Sequence, residues 1–457
     1  DGRLYRNGPG SFQAQGMPLA NIVDGDGCVH AFDLAAGQVL YRSRYVQTRV
    51  RQEEMRAGKP LYGGIGHLPP SGVLAHLRGR NVRKPANTHV VHHAGRLLAL
   101  HEGDWPYTLD PDTLATRKHD DLQGALAPGV HYSAHPKADA ADGSLWNIGA
   151  QYVPTMQRGR LNLQLQVSMY RTDAEGCTAR LGRFVAPYAA GSVHDFVLTD
   201  RHLIVMLSPL VLSRLPALLL ARVAPFEALR WRPDLPTFFF VVDRNDPSHI
   251  QRFETDAVLA VHLIQAFVKD ETLALDACCY TDAAPMHLAA SMTQYKASPW
   301  VSSSVKRFVL RLPGKQVEVT NLSDYAFDFP RLSPVLRPGA QHRYVVGNFM
   351  DVYSPFTDLL GTLDLCTGEA TLRPLRRPGD YSGEFVPIKK ATAQSELDFW
   401  LVGVALDALS GISELLIFDG AQPQQDAICR LPLPHRLPMG FHGSWVSRAE
   451  LAAAAAL

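Results

Sequence analysis

The stretch at 192–200 reads SVHDFVLTD, a histidine beside an aspartate just ahead of an alternating apolar run. Three readings are open to His194: half of an acid–base dyad, a metal ligand, or a core residue of no functional interest. A His–Asp nucleophilic triad would also need an activated serine or cysteine. No GxSxG elbow occurs in the chain, and adjacent residues on a strand point apart. The other seventeen of the chain's 18 histidines carry more information. His135 lies in HYSAHPKAD, His262 in AVHLIQAF and His442 in GFHGSW. With His194 they are spaced by 59, 68 and 180 residues, and the last is three times sixty. If one four-stranded blade takes about 60 residues, the four stand at similar stations on different blades of a propeller. Four neutral imidazoles converging there would hold a borderline metal such as iron, copper, zinc or nickel.

The elements that must position them are strands and tight turns. RHLIVMLS (201–208), TFFFVVDR (237–244), TLALDACCY (272–280), RFVLRL (307–312), HRYVVGNF (342–349), DFWLVGVAL (398–406) and ELLIFDG (414–420) are short and rich in β-branched and aromatic residues. Hairpins pivot at Gly37, at Ala94–Gly95 and at Gly368. Such strands at near-regular intervals mean a sandwich, a barrel or a propeller. They run from about residue 30 to about residue 420 with no Ser/Gly-rich linker, which a single closed propeller accommodates best. No crisp repeat marks the blades. Convincing helical pattern is scarce outside 209–231, PLVLSRLPALLLARVAPFEALRW. That segment is too short and too interrupted by Arg214, Pro216 and Arg222 to span a bilayer. It reads either as a core-covering helix or as an interfacial segment with leucines in lipid and arginines at the headgroups.

Composition narrows the partners. The chain of 457 residues is 46% hydrophobic and 19% charged, with 45 Lys+Arg against 44 Asp+Glu and a net charge of +1. The one short basic tract, RPLRRPG (373–379), is too small for nucleic acid to be a main partner. Six cysteines form no C-x-x-C pair, which fits a reducing compartment. Cys278 and Cys279 are expected on opposite faces of one strand. No signal peptide is visible, and the alanine-rich 449–457 reads as a tail.

In their order and spacing, a longer series of motifs resembles the carotenoid cleavage oxygenases. These are LYRNGPG (4–10), DGDGCVHAFDL (24–34), ANTHVVHHAGRLLALHEGDWPYTLDPDTLAT (86–116), SAHPKAD (133–139), VHDFVLTD (193–200), HLIQAF (262–267), FDFPRL (327–332), GEFVPI (383–388), SELLIFDG (413–420) and LPMGFHGSW (437–445). The resemblance covers nearly the whole chain. It implies an all-β fold, a seven-bladed β-propeller spanning 1–457 as one domain, with a loop-and-helix dome over an axial metal site. It also implies Fe(2+) held by His135, His194, His262 and His442. Glu102, Asp328 and Glu384 are then expected to orient His194, His262 and His442 through their remaining N–H, leaving His135 without a carboxylate. Thr88 is expected beside an open metal position. The sequence departs from the family at Asp328, where glutamate is usual, at Gln265 in place of asparagine and at Val268 in place of an acid. For the shorter Asp328, a bridging water or an inward shift of the backbone is expected.

The implied chemistry is oxidative cleavage of a conjugated C=C bond by O2 to two carbonyl products. Family members that cleave stilbenes typically carry a lysine just before the first of the three acids, where this chain has His101. An apocarotenoid or carotenoid is therefore expected, with stilbene cleavage or a catalytically inactive carotenoid-binding propeller as alternatives. A lipid-dissolved polyene suits peripheral membrane contact through 209–231. The expected location is the cytoplasm, with possible attachment to the inner face of the plasma membrane.

Overall fold

A computed structural model describes the chain except 158–159, 192, 284–302, 313, 351–358, 376–379, 408 and 456–457. Ser192, most of the basic tract and the end of the alanine-rich tail thus lie outside the described residues. Seven antiparallel sheets, each of four successive strand positions, form the blades of a β-propeller. Blade 1 runs Gly443–Ser447, Gly2–Pro9, Gly27–Ala35, Gln38–Tyr45, so that two distant parts of the chain share one sheet. Blade 2 starts at His89–His93, blade 3 at His131–Tyr132 and Lys137–Ala138, and blade 4 at Phe196–Leu198. Blade 5 starts at Leu259–Lys269, blade 6 at Phe327–Leu332, and blade 7 at Tyr381–Ser382 and Val386–Lys389. These first strands meet one another around a common axis.

Each blade buries both of its faces, because a neighbour covers it on either side. Central strands therefore read as apolar runs rather than as strict alternation. His202–Leu207 and Leu273–Tyr280 are buried along their whole lengths. The core is correspondingly divided into seven inter-blade layers. Phe239, Phe253, Leu275 and Phe308 fill the layer between blades 4 and 5, and Leu4, Phe32, Val386 and Val402 fill that between blades 7 and 1. Cys278 packs toward blade 6 and Cys279 toward blade 4, the opposite faces expected of adjacent strand residues. The hairpins at 36–37 and 94–95 turn on two consecutive positive φ values, 50° and 75° at Ala36 and Gly37 and 47° and 69° at Ala94 and Gly95. That is the turn whose twist matches the strands it joins.

Two segments differ from the sequence expectation. Residues 209–231 are not one helix. They form a two-stranded ribbon, Leu210–Leu212 with Leu229–Trp231, topped by the short helices Leu215–Leu219 and Pro225–Ala228. Pro216 and Pro225 sit in the first turns of those helices, where the missing N–H is tolerated but a continuous helix is not. The insertion joins the second and third strands of blade 4. The second difference is a helix at Arg49–Ala57, capped by the Thr48 hydroxyl on Arg51 N–H and ended by Gly58 at φ 62°.

Candidate metal centre

Every blade brings one residue of the hub to its inner end. His135 occupies the break between the two short first strands of blade 3, and His194 stands two residues ahead of the first strand of blade 4. His262 lies within the first strand of blade 5, inside the register shift between Ala260 and Leu263 and just ahead of a second between Leu263 and Gln265. Such bulges re-aim a side chain without ending the strand. His442 directly precedes Gly443–Ser447 of blade 1. Blades 6, 7 and 2 contribute Asp328, Glu384 and Thr88.

The four imidazoles meet. The His135 ring lies 4.4 Å from His194, 5.2 Å from His262 and 4.6 Å from His442, centroid to centroid. His262 is 4.9 Å from His194 and 5.2 Å from His442. One nitrogen from each of His135, His194 and His262 lies within 4.8 Å of the others, and His194 Nε2 faces His262 Nε2 at 3.1 Å. His135 Nε2 is buried without a hydrogen-bond partner. Burial and the neighbouring imidazoles hold the His135 pKa well below its usual value, keeping the ring neutral with a lone pair to donate. Buried lone pairs facing one another are costly unless a cation binds between them, and all-imidazole donors suit a borderline transition metal. The residues present fit a divalent metal of that class.

Behind three of the rings stand carboxylates. Glu102 Oε1 contacts His194 Nδ1. Asp328 Oδ1 bonds His262 Nδ1 at 2.5 Å, and Glu384 Oε1 bonds His442 Nδ1 at 3.1 Å. His135 has only a distant approach, 4.0 Å from its Nε2 to Glu102. Such partners fix which ring nitrogen carries the proton, leaving the other free to donate. Burial raises the Asp328 pKa, but His262, the Tyr280 hydroxyl and the Phe329 N–H outweigh it and hold the carboxylate at about 2. Burial likewise disfavours the Glu384 anion, yet Arg331 and His442 keep it far below the usual carboxylate range.

The short Asp328 reaches His262 directly, with no water needed between them, and it stands at a local irregularity: the register shifts between Asp328 and Arg331, and Phe329 adopts φ 53°. A non-glycine residue in that left-handed region is uncommon and marks local strain. The Phe329 ring lies 5.5 Å from His262 and 5.2 Å from His442. Gln265 is buried and fully engaged, donating to Asp276 at 2.8 Å and to His342 O at 3.1 Å and accepting from His342 N–H. Val268 is 49% exposed at the outer part of its strand and touches none of this. Asp195 is not paired with His194. It binds Lys137 Nζ at 2.8 Å and accepts from the N–H of Leu263, joining blade 4 to blade 5. Thr88 is tied to the backbone of the fourth histidine, its carbonyl accepting from the main-chain N–H of His442 at 3.2 Å, while its hydroxyl donates to Asn87 Oδ1 at 3.3 Å.

Sequence reasoning passed over Tyr280, His89 and Phe329. Tyr280 donates to Asp328 Oδ2 at 2.5 Å. His89 approaches Ala134 O at 2.8 Å and Gly443 O at 3.2 Å through its two nitrogens, tying blade 2 to blades 3 and 1. Burial depresses its pKa to about 4, so the neutral ring donates to one carbonyl only. His89 sits inside ANTHVVHH, but nothing in that string separates it from its neighbours.

Comparison with known proteins agrees with this geometry. Residues 1–447 match the family model RPE65, retinal pigment epithelial membrane protein. The chain is 31% identical over 449 residues to apocarotenoid-15,15'-oxygenase of Synechocystis, covering 97% of this chain and 90% of that one. It is 28% identical over 475 residues to isoeugenol monooxygenase of Pseudomonas nitroreducens, covering 98% and 92%. The crystal structure of the cobalt-substituted Synechocystis enzyme superposes with a TM-score of 0.86 at 29% identity, covering 98% of this chain and 92% of that chain. With a hub drawn from all seven blades and a family match across nearly its whole length, the chain belongs to the RPE65 family, the carotenoid cleavage oxygenases.

Proposed function

We propose that this protein is an iron(II) dioxygenase that cleaves a conjugated C=C bond of an apocarotenoid or carotenoid. O2 would supply one oxygen atom to each carbon of the broken bond, giving two carbonyl products. The observation that carries this reading is the cluster of four imidazoles with carboxylates behind three of them. Iron(II) supplies the electrons that let ground-state O2 react with an electron-rich alkene, chemistry that no side chain here provides. His135, His194, His262 and His442 would hold it, and Glu102, Asp328 and Glu384 would fix the tautomers of their partners. Four neutral ligands leave the full charge of the ion uncompensated among the donors themselves. Phe329, its ring against His262 and His442, would limit what reaches the metal and keep water from the reacting bond, and Thr88, bonded to the His442 backbone, would stand beside an open metal position.

A lipid-dissolved polyene fits the outer surface. Leu219 and Leu220, at the tip of the insertion in blade 4, are 58% and 50% exposed, and Leu74 on another short helix is 55% exposed. Among the described residues no helix is long and apolar enough to cross a membrane. Leucines dipping into one leaflet, with Arg214 and Arg222 at headgroup level, is the attachment these residues support.

Iron-loaded protein incubated under 18O2 with a panel of apocarotenals, carotenoids and stilbenes, with product masses measured, tests the reading. Labelled aldehydes from a polyene are expected, and His262→Ala should lose both bound iron and all cleavage. Turnover of resveratrol-like stilbenes alone would transfer the assignment to an aryl alkene. A retained pigment with no O2 consumed would make the protein a carotenoid binder.

A further inference from the structure

Arg6 lies on the second strand of blade 1, opposite Gly443 and therefore one residue from His442. Its side chain is 3% exposed, and neither Nη1 nor Nη2 has a hydrogen-bond partner among the described residues. The guanidinium lines a small, partly open pocket of about 20 Å³ at the seam where blade 7 meets blade 1, lined among others by His30, Phe32, Ser382, Gly383 and Gly440. No aspartate or glutamate lines it. Glycines flank the guanidinium on two sides: a Cβ on Gly383 would lie 2.6 Å from Nη2, and one on Gly440 would lie 3.0 Å from it. The pocket wall itself therefore carries no compensating negative charge.

The nearest carboxylate is already engaged. Glu384 bonds His442 and the Gly443 N–H and lies 3.5 Å from Arg331. Burial lowers the Arg6 pKa to about 10, with Glu384 restoring only part of the loss. His30, the other basic group of the pocket, is held neutral by burial and by Arg6 itself. One guanidinium thus remains without a hydrogen-bonded counter-charge in the wall of this pocket. A buried unpaired charge costs several kcal/mol, and such a group is ordinarily matched by an ion or an ordered water.

We propose that this inter-blade pocket is a binding site for one small monovalent inorganic anion of halide size, held by the Arg6 guanidinium. The site is separate from the metal hub and does not depend on which alkene is cleaved. Because its walls come from the first and last blades, a bound anion also ties together the seam that closes the ring.

Bromide is the probe. Anomalous diffraction from crystals of the unmodified, metal-loaded protein grown in bromide should place one peak within hydrogen-bond distance of the Arg6 guanidinium. Water alone there at saturating bromide would overturn the proposal. In solution the thermal midpoint should rise with bromide relative to gluconate at matched ionic strength, by about 1–2 °C for each tenfold increase above the dissociation constant. Arg6→Met should abolish that difference. Equal midpoints in the two salts for the unmodified protein, or a bromide response that survives in Arg6→Met, would count against the site. If Arg6→Met fails to fold, the diffraction result decides.

Discussion

Tyr280 donates its phenolic hydrogen to Asp328 Oδ2 at 2.5 Å, while the other oxygen of that carboxylate bonds His262. Asp328 is thus clamped from both sides by groups belonging to blade 5, although it belongs to blade 6. Burial and the facing carboxylate push the Tyr280 pKa well above the usual phenol value, so it is a donor at any physiological pH. Tyr280→Phe should leave Oδ2 unpartnered in a buried site, at a cost of about 1–3 kcal/mol in stability. It should also weaken metal affinity by about tenfold or more, since His262 loses its fixed orientation. Metal titration beside a urea melt checks both. Unchanged affinity with lowered stability would make Tyr280 a packing residue only.

Replacing Leu219 and Leu220 together by serine should reduce co-sedimentation with liposomes by at least tenfold. Each leucine contributes about 1.5–3 kcal/mol when its side chain leaves water. Both are exposed, so the urea midpoint should hardly move. Cleavage of a detergent-dispersed substrate should also persist. Equal partitioning of variant and parent would exclude the insertion as the lipid contact.

Phe239→Ala should destabilise the protein by about 3–5 kcal/mol through the cavity it leaves. Phe239 is fully buried between blades 4 and 5, its ring 5.1 Å from that of Phe308. Denaturant unfolding of metal-loaded protein measures the loss.

Acid should weaken the fold through His30. Burial, with Arg6 and His435 adding to it, depresses the folded-state pKa of this histidine to about 3 from an ordinary 6.5. The unfolded chain therefore takes up a proton below pH 6.5 that the folded chain refuses until about pH 3. The stability from the neutral ring is complete above the higher value and drains away as pH falls toward the lower. Between pH 7 and pH 5 the change amounts to about 2 kcal/mol. His30→Gln should flatten that part of the stability–pH curve, read from urea midpoints.

The strands were legible because inter-blade burial writes apolar, β-branched runs such as TFFFVVD directly into the chain, and the observed strand Thr237–Asp243 is that run. The helix at Arg49–Ala57 was not read, although a threonine before it and a glycine after it are end signals, because RVRQEEMRA is too polar to draw attention as a core-facing helix. Residues 209–231 misled because leucine content suggests a helix while Pro216 and Pro225 break it into pieces. At the hub, spacing made His135, His194, His262 and His442 candidates, and the family motifs around them singled them out. Tyr280 and His89 did not stand out, since their importance lies in which blade each one faces, a relation that no local pattern encodes. The direct contact of Asp328 with His262 was likewise not legible, since the register shift and the positive φ beside it are set by how two blades meet.

The ring is sealed by Gly443–Ser447 pairing with Gly2–Pro9, and His442 is the residue just before that sealing strand. During synthesis, three of the imidazoles leave the ribosome long before the fourth. A nascent chain can therefore assemble most of its blades but cannot offer a complete set of donors until they close into a circle.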